Sequence, residues 1–343
     1  MRNAATQQTR YEPIQRVAMD IVDNCNLRCP FCVYDYSNTY RTNLMSEEVF
    51  DAAIRLIPYV GHEYFWLSCL HEPTMHPRFA DFIERIPKVH RSKVFFTSNL
   101  TRRMPQQYYD TLGRSGLDHI NISIESRDPV IYERMRKGSR HRIFLESWDQ
   151  VIAAFKSGSA PPDIHYIIMA YKANLAEIPD LVAYLREERS ASVVSIRYTF
   201  DMPHIAEEFK QAEYLDYYDW QWLKSELAKY PANEVGLALP PQLTAPVIAS
   251  VDEMPMKREL SFAAPPDGSE RTQMPEVSAS TTPIVPGAFE FRLSYNGKAC
   301  ISPINKANEP DGTLAETNVV DIHDPVDFFR SLELRQNSRS AVT

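Results

Sequence analysis

Short apolar runs alternate with amphipathic segments between residues 14 and 230. The amphipathic segments have helical spacing, as where Phe79, Phe82, Ile83 and Ile86 recur at i, i+3, i+4 and i+7. The apolar runs are short and rich in β-branched and aromatic residues, which predicts strands. In chain order, the predicted strands are IQRVAMDIV, YFWLSC, KVFFTS, HINISIE, DIHYIIMA and VVSIRYTF.

Six strand–helix units in series predict an α/β fold with a parallel sheet and right-handed crossovers. Because a closed barrel has eight units, the pattern fits a curved, partly open (β/α)6 barrel or an open doubly wound sheet. In both folds, ligands bind at the carboxyl ends of the strands. The loop after the first strand is therefore expected at the functional edge of the sheet.

The pattern changes after residue 230. The next 58 or so residues are rich in proline, serine, threonine and alanine, which predicts a linker or a lid rather than a core. Apolar alternation then resumes around Asn296-Gly297, a hairpin turn signal, and a short helix follows. The predicted segments are an N-terminal tail (1–13), a partial barrel (14–230), a linker or lid (231–288), a small α+β extension (289–335) and a tail (336–343).

Composition narrows the function classes. The net charge of the 343-residue chain is −8 and its lysines and arginines are scattered, so nucleic-acid binding is not expected. No apolar run approaches the roughly 18 residues that a membrane span needs. The first residues also lack the apolar core of a signal peptide. We therefore expect a cytoplasmic protein that binds neither nucleic acid nor membrane.

Three of the five cysteines fall within eight residues after the first predicted strand. Cys25, Cys29 and Cys32 are spaced C-x3-C-x2-C, and five cysteines are too few for a disulfide framework. Clustered thiolates are soft ligands for zinc or for an iron–sulfur cluster. A structural zinc needs a fourth ligand, for which His71 or His76 is available. A 4Fe–4S cluster on three thiolates instead leaves one iron open to a small molecule.

The cysteine spacing resembles the signature of the radical S-adenosylmethionine (SAM) superfamily, which follows the first strand. Phe31 matches that family's aromatic residue before the last cysteine, which packs near the adenine. The resemblance implies one 4Fe–4S cluster on Cys25, Cys29 and Cys32, with SAM on its open iron. It also implies cleavage of SAM to a 5′-deoxyadenosyl radical that abstracts a substrate hydrogen, and an external electron donor such as flavodoxin or ferredoxin.

The turn after the second predicted strand resembles the family's Gly-Gly-Glu-Pro segment, which meets the SAM amino group. Glu72 and Pro73 match that segment, whereas Leu70 and His71 replace the glycines. At the end of the third strand, Asn99 matches a Thr-Asn-Gly segment without its glycine. The resemblance therefore implies that Glu72 and Asn99 belong to the SAM site.

The fourth predicted strand, INISIES, resembles the family's Ser-Ile-Asp-Gly segment. Its isoleucines alternate with Asn121, Ser123 and Glu125, as expected for a strand facing either a polar cavity or solvent. In the following YERMRKGS, Arg136 matches an arginine that binds the SAM carboxylate, a role that suits a planar bidentate donor. The resemblance implies that Ser123, Glu125 and Arg136 contact SAM, and a surface helix arginine is the alternative for Arg136.

The C-terminal segments FRLSYNGKACIS and VVDIHDPVDFFRSLELR resemble a SPASM/twitch-type extension that has lost its cluster cysteines. Since one thiol cannot hold an auxiliary cluster, we expect one iron–sulfur cluster in total. The absence of a second electron acceptor favours redox-neutral reactions, such as epimerisation, elimination or rearrangement. An epimerase can return hydrogen from a thiol, for which Cys300 and Cys69 are the candidates. Packing as a small hydrophobic side chain is the alternative for each.

These features predict a radical SAM enzyme that acts on a small, carbohydrate-like molecule, with epimerisation as the narrower hypothesis. About 13 residues precede the first strand, whereas peptide-modifying relatives often carry an N-terminal peptide-binding domain. Modification of a peptide or protein side chain is the first alternative. The second is a non-enzymatic α/β binding module, stabilised by zinc on the three cysteines and a histidine.

Overall fold

The computed structural model describes residues 11–61, 65–241, 243, 289–303 and 313–340, the last four of these as backbone only. Its strands are β1 (Ile14–Met19), β2 (Phe65–Trp66), β3 (Val94–Ser98), β4 (His119–Ser123), β5 (Asp163–Met169), β6 (Ala191–Arg197), β7 (Val235–Leu237), β8 (Phe289–Leu293), β9 (Lys298–Pro303) and β10 (Ala315–Asn318). Its α-helices are α1 (Glu47–Ile54), α2 (Phe79–Arg85), α3 (Gln106–Gly113), α4 (Pro129–Met135), α5 (His141–Ser157), α6 (Ile178–Glu188), α7 (Glu207–Glu213), α8 (Tyr217–Leu227) and α9 (Pro325–Ser340).

The described strands form one sheet in the order β10-β9-β8-β1-β2-β3-β4-β5-β6-β7. Strands β1 to β7 pair in parallel, and β8 also lies parallel to β1. Only the β8–β9 and β9–β10 pairs are antiparallel among these strands. Because β7 and β10 are the edges of the described sheet, the barrel stays open, and the predicted partial-barrel α/β fold is confirmed.

Strand β7 was not among the predicted strands. It lies inside residues 231–288, which the composition assigned to a linker or lid, and its three residues are too few to show a period. Most of that predicted linker, from residue 244 onward, lies outside the described residues. Helix α9 continues past residue 336, where we had expected the C-terminal tail to begin.

The predicted alternation separates the two faces of the sheet. Ile120, Ile122 and Ile124 are fully buried in the main apolar core. Asn121 and Ser123 point to the opposite face, here called the inner face, which lines the interior of the open barrel. Helix termini follow ordinary capping rules, since Asp128 accepts hydrogen bonds from the first two free N–H groups of α4.

The C-terminal strands extend the barrel sheet instead of forming a separate core. Phe289, Phe291, Ile301 and Phe329 are fully buried in the same apolar cluster as the barrel strands. The turn between β8 and β9 uses Gly297 with φ of 85°, a backbone conformation that glycine adopts easily. Within the described ranges, every helix is too short or too polar to span a lipid bilayer.

Candidate active site

A cavity of about 310 Å³ opens at the carboxyl ends of β1 to β6. It brings together nine of the eleven site residues predicted from the sequence. Those nine are Cys25, Cys29, Phe31, Cys32, Cys69, Glu72, Asn99, Ser123 and Arg136. The two others, Glu125 and Cys300, lie outside its lining. Most of the residues that the family resemblance selected therefore line one cavity, as expected for strand ends in a parallel sheet.

The cysteine loop presents three free thiols to this cavity. A hydrogen bond from Cys32 N to Cys29 O (3.1 Å) closes the loop, and Cys25 Sγ accepts bonds from Leu27 N and Asn99 Nδ2, both at 3.5 Å. Burial raises the pKa of all three thiols, that of Cys25 to about 11. Burial therefore disfavours the thiolates unless a bound cation neutralises them, so this donor set fits a metal cluster.

The donor geometry argues against a single zinc ion. His76 uses both ring nitrogens, since Nε2 is hydrogen-bonded to Met45 O at 3.0 Å and Nδ1 accepts from Arg78 N at 3.2 Å, so neither is left for a metal. His71 Nδ1 is hydrogen-bonded to Tyr36 Oη at 2.8 Å. Among the described residues, no three histidine, cysteine, aspartate or glutamate side chains are placed to share one metal ion. The ligands of an iron–sulfur cluster bind separate irons and need not converge on one point.

Arg136 lies at the cavity wall and forms an ion pair with Glu125. Its Nε and Nη2 donate to the two carboxylate oxygens, the Nη2–Oε1 distance being 2.7 Å. Burial lowers the pKa of Arg136, but the Glu125 carboxylate more than offsets this effect and the pKa is raised overall. Glu125 is fully buried. Its carboxylate binds Arg136 and it is not among the residues that line the cavity, so its contact with SAM stays a prediction.

Glu72 joins the turn after β2 to the end of β3. Its Oε1 accepts hydrogen bonds from Thr74 N, Thr74 Oγ1 and Ser98 Oγ, and its Oε2 accepts one from Asn99 N at 2.8 Å. Burial raises its pKa, and these bonds partly offset the shift. Oε2 retains capacity for another donor at the cavity surface.

Comparison with known proteins agrees with this geometry. The model of the radical SAM superfamily matches residues 19–185, from the end of β1 into α6.

The chain belongs to the radical SAM superfamily.

A radical SAM protein uses a 4Fe–4S cluster and SAM, so the cofactor prediction is confirmed. GTP 3′,8-cyclase from Trichormus variabilis is 28% identical over 178 residues, which cover 50% of this chain and 52% of that enzyme. The chain therefore spans about half the length of the cyclases that it matches.

Two solved structures share the fold of this radical SAM chain. Streptococcus suis SuiB bound to S-adenosylmethionine has a TM-score of 0.59 and 14% identity, covering 93% of this chain and 66% of SuiB. The histidine-tagged anSMEcpe with bound AdoMet has a TM-score of 0.55 and 12% identity, covering 90% of this chain and 79% of that protein. At such identities the similarity concerns the fold.

The turn that replaces the family's glycines is held by a residue that sequence reasoning missed. Asp20, just after β1, accepts hydrogen bonds at Oδ1 from the backbone N–H groups of Cys69, Leu70 and His71, at 2.9 to 3.1 Å. Burial raises the pKa of Asp20 to about 7, against the effect of these bonds. The available signal was its position, since Asp20 continues the inward alternation of β1. The carboxylate fixes a turn that lacks its glycines.

Four stacked rings cross the inner face of the radical SAM barrel. Successive ring centroids lie 5.3 Å (Trp66–Phe95), 4.2 Å (Phe95–His119) and 3.9 Å (His119–His165) apart. Trp66 also lines the cavity and donates from Nε1 to Thr97 Oγ1 at 3.1 Å. These rings pack across the interior of the barrel, and Trp66 connects them to the cavity.

The structure separates the two candidate hydrogen donors. The side chain of Cys69 lines the cavity of the three cluster cysteines, and burial raises the pKa of its thiol. Cys300 lies on β9, two strands beyond β1, and its Sγ is 3.2 Å from Thr313 Oγ1. Cys300 thus lies outside the lining of the cavity, and its role as a hydrogen donor stays a prediction.

Proposed function

We propose that this radical SAM enzyme exchanges a hydrogen atom on a small, carbohydrate-like substrate without net oxidation or reduction, with epimerisation as the narrower form. The observation that carries the proposal is the Cys69 thiol in the cavity of the three cluster cysteines. The curated relatives support a sugar-containing substrate, because GTP 3′,8-cyclases are named for a ribonucleotide.

The residues at the cavity wall fit the bound cofactors in defined roles. The three loop cysteines would hold the 4Fe–4S cluster, which, with SAM, supplies a 5′-deoxyadenosyl radical that takes hydrogen from the substrate. Arg136 binds the SAM carboxylate, since Nη1 forms no hydrogen bond to a described residue.

Glu72 accepts a hydrogen bond from the SAM ammonium at Oε2. Phe31 packs against the adenine and is positioned by Tyr171, whose ring centroid lies 5.0 Å away. Ser123 and Asn99 complete the polar wall.

Cys69 returns the hydrogen atom. At neutral pH its thiol is protonated, because burial raises its pKa. The S–H bond breaks as a new C–H bond forms on the opposite face of the substrate carbon. The sulfur radical then takes one electron from an external one-electron donor and one proton from water, which restores the thiol.

The test uses anaerobic enzyme with reconstituted iron and sulfide, SAM and dithionite, in D₂O. We expect the wild type to form 5′-deoxyadenosine, and the variant with Cys25, Cys29 and Cys32 changed to alanine to form none. A panel of hexoses, aminocyclitols and nucleosides is then screened for deuterium incorporated at carbon. Cys69→Ser is expected to retain SAM cleavage but to lose deuterium incorporation, while Cys300→Ser behaves like the wild type. Deuterium incorporation that survives Cys69→Ser would contradict the assignment.

A further inference from the structure

Arg197 places a positive charge in the cavity, and no carboxylate of the described residues serves as its counterion. It is the last residue of β6, and its Nε donates to Ser195 Oγ at 3.0 Å. Among the residues that the structure describes, no carboxylate forms an ion pair with its guanidinium. The second cavity arginine, Arg136, is by contrast neutralised by Glu125. Burial lowers the pKa of Arg197, so the protein bears the unfavourable free energy of a poorly solvated charge.

The side chain of Arg197 lines the cavity that contains Cys69, the proposed hydrogen donor. Tyr198 and Phe200, which follow β6, line both this cavity and a neighbouring one of about 540 Å³. An anion bound by Arg197 would therefore lie beside the thiol, with room for the rest of the molecule.

We propose that Arg197 binds an anionic group of the substrate, a carboxylate or a phosphate, and so holds the substrate carbon next to Cys69. The substrate is then an acidic or phosphorylated sugar derivative. The Nη1 and Nη2 groups, which form no hydrogen bond to a described residue, suit bidentate recognition of either anion. This inference rests on the proposed function and narrows its substrate class.

SAM also carries a carboxylate, so the source of the anion has to be tested. Arg136 already fits that group from the wall that bears Phe31, whose ring centroid lies 5.9 Å from Arg136 Cζ. If Arg197 binds the substrate, its removal leaves SAM binding and SAM cleavage intact. If it binds SAM, both are lost together.

The experiment compares Arg197→Gln and Arg197→Lys with Arg103→Gln, which changes an exposed arginine paired with Glu146. Inorganic phosphate and acetate are titrated separately into the reconstituted enzyme in a calorimeter, in the presence of SAM. We expect at least one anion to bind the wild type at one site. Binding should weaken by about tenfold or more in Arg197→Gln, recover partly in Arg197→Lys, and match the wild type in Arg103→Gln. Comparison of the affinities for phosphate and for acetate identifies the preferred anion.

The same variants are assayed for the affinity for SAM and for the rate of dithionite-driven formation of 5′-deoxyadenosine. Values for Arg197→Gln within about twofold of the wild type assign the residue to the substrate. Weaker SAM binding, or anion binding that is absent from the wild type or unchanged by Arg197→Gln, overturns the inference. Failure of the wild type to cleave SAM would instead reject the proposed function, because the anion titration does not depend on catalysis.

Discussion

Glu125 is the counterion of the buried Arg136. Glu125→Gln keeps the shape of the side chain but leaves the Arg136 guanidinium without a counterion at a buried position. We expect the free energy of unfolding to fall by about 3 kcal/mol or more, measured by urea denaturation of the protein. Glu146→Gln, which breaks an exposed pair with Arg103, should change it by less than about 1 kcal/mol. Equal changes in the free energy of unfolding would show that the buried pair stabilises the fold no more than the exposed pair.

His165, stacked on His119, predicts a pH dependence of stability. Burial lowers its pKa to about 4, below the ordinary value near 6.5. Between these values the unfolded chain binds more protons, so acidification through this window lowers the free energy of unfolding. We expect His165→Gln to lose about 2 kcal/mol less than the wild type between pH 7.5 and pH 5. Urea denaturation at the two pH values measures this, and an equal loss of unfolding free energy in the wild type and in His165→Gln would contradict the prediction.

At the scale of single residues, spacing identified the cysteine loop, and the resemblance to a known family selected much of the cavity wall. The sequence did not identify Arg197 as a site residue, because a single arginine in a strand does not indicate whether its side chain faces solvent or a cavity. Glu125 was selected by its alternation, but β4 ends at Ser123 and the Glu125 carboxylate binds Arg136. Whether a polar side chain faces a ligand or another side chain depends on neighbours that are distant in the chain.

Among the structural elements, the turn at Cys69–His71 has one acceptor, Asp20 Oδ1, that binds all three of its backbone N–H groups. Asp20→Ala removes the oxygen that accepts three backbone hydrogen bonds. We expect the amide hydrogens of Leu70 and His71 to exchange with deuterium at least about tenfold faster, since local opening then breaks fewer bonds, whereas Cys69 N keeps its hydrogen bond to Met19 O. Asp20→Asn keeps an acceptor oxygen and should remain close to the wild type. Exchange rates are read by mass spectrometry of peptides that cover the turn.

Element prediction succeeded where the period was long enough to read. The alternation in β4 and the helical spacing in α2 both appear as expected. Strand β2 is much shorter than the predicted YFWLSC, because the chain turns at Ser68 to form the Asp20-bound loop. The three residues of β7 gave no period at all.

For the whole molecule, the extension β8–β10 completes the core beside β1. A chain that ends at residue 288 would expose one edge of β1 and the apolar surface now covered by Phe289, Phe291 and Phe329. We expect this truncated chain to be insoluble or aggregated on gel filtration, since an unpaired apolar edge promotes association. A chain that ends at residue 336 loses only the last residues of α9 and should behave like the full chain. A soluble monomer ending at 288 would show that the barrel is independent.

The pairing of β8 with β1 was not predictable from local patterns. Composition suggested a small appended unit, and the hairpin signal at Asn296-Gly297 located its turn. Which edge the hairpin joins depends on contacts between residues 14–19 and 289–293, which no short window contains.

This pairing also sets the order of events while the protein is being made. Strand β8 is synthesised about 270 residues after its partner β1. At ribosomal speeds of about 5 to 20 residues per second, that interval lasts roughly 15 to 55 s. During it, one side of β1 lacks its β8 partner, so the nascent chain stays intact only if association with other chains is slow or a chaperone protects it until β8 emerges.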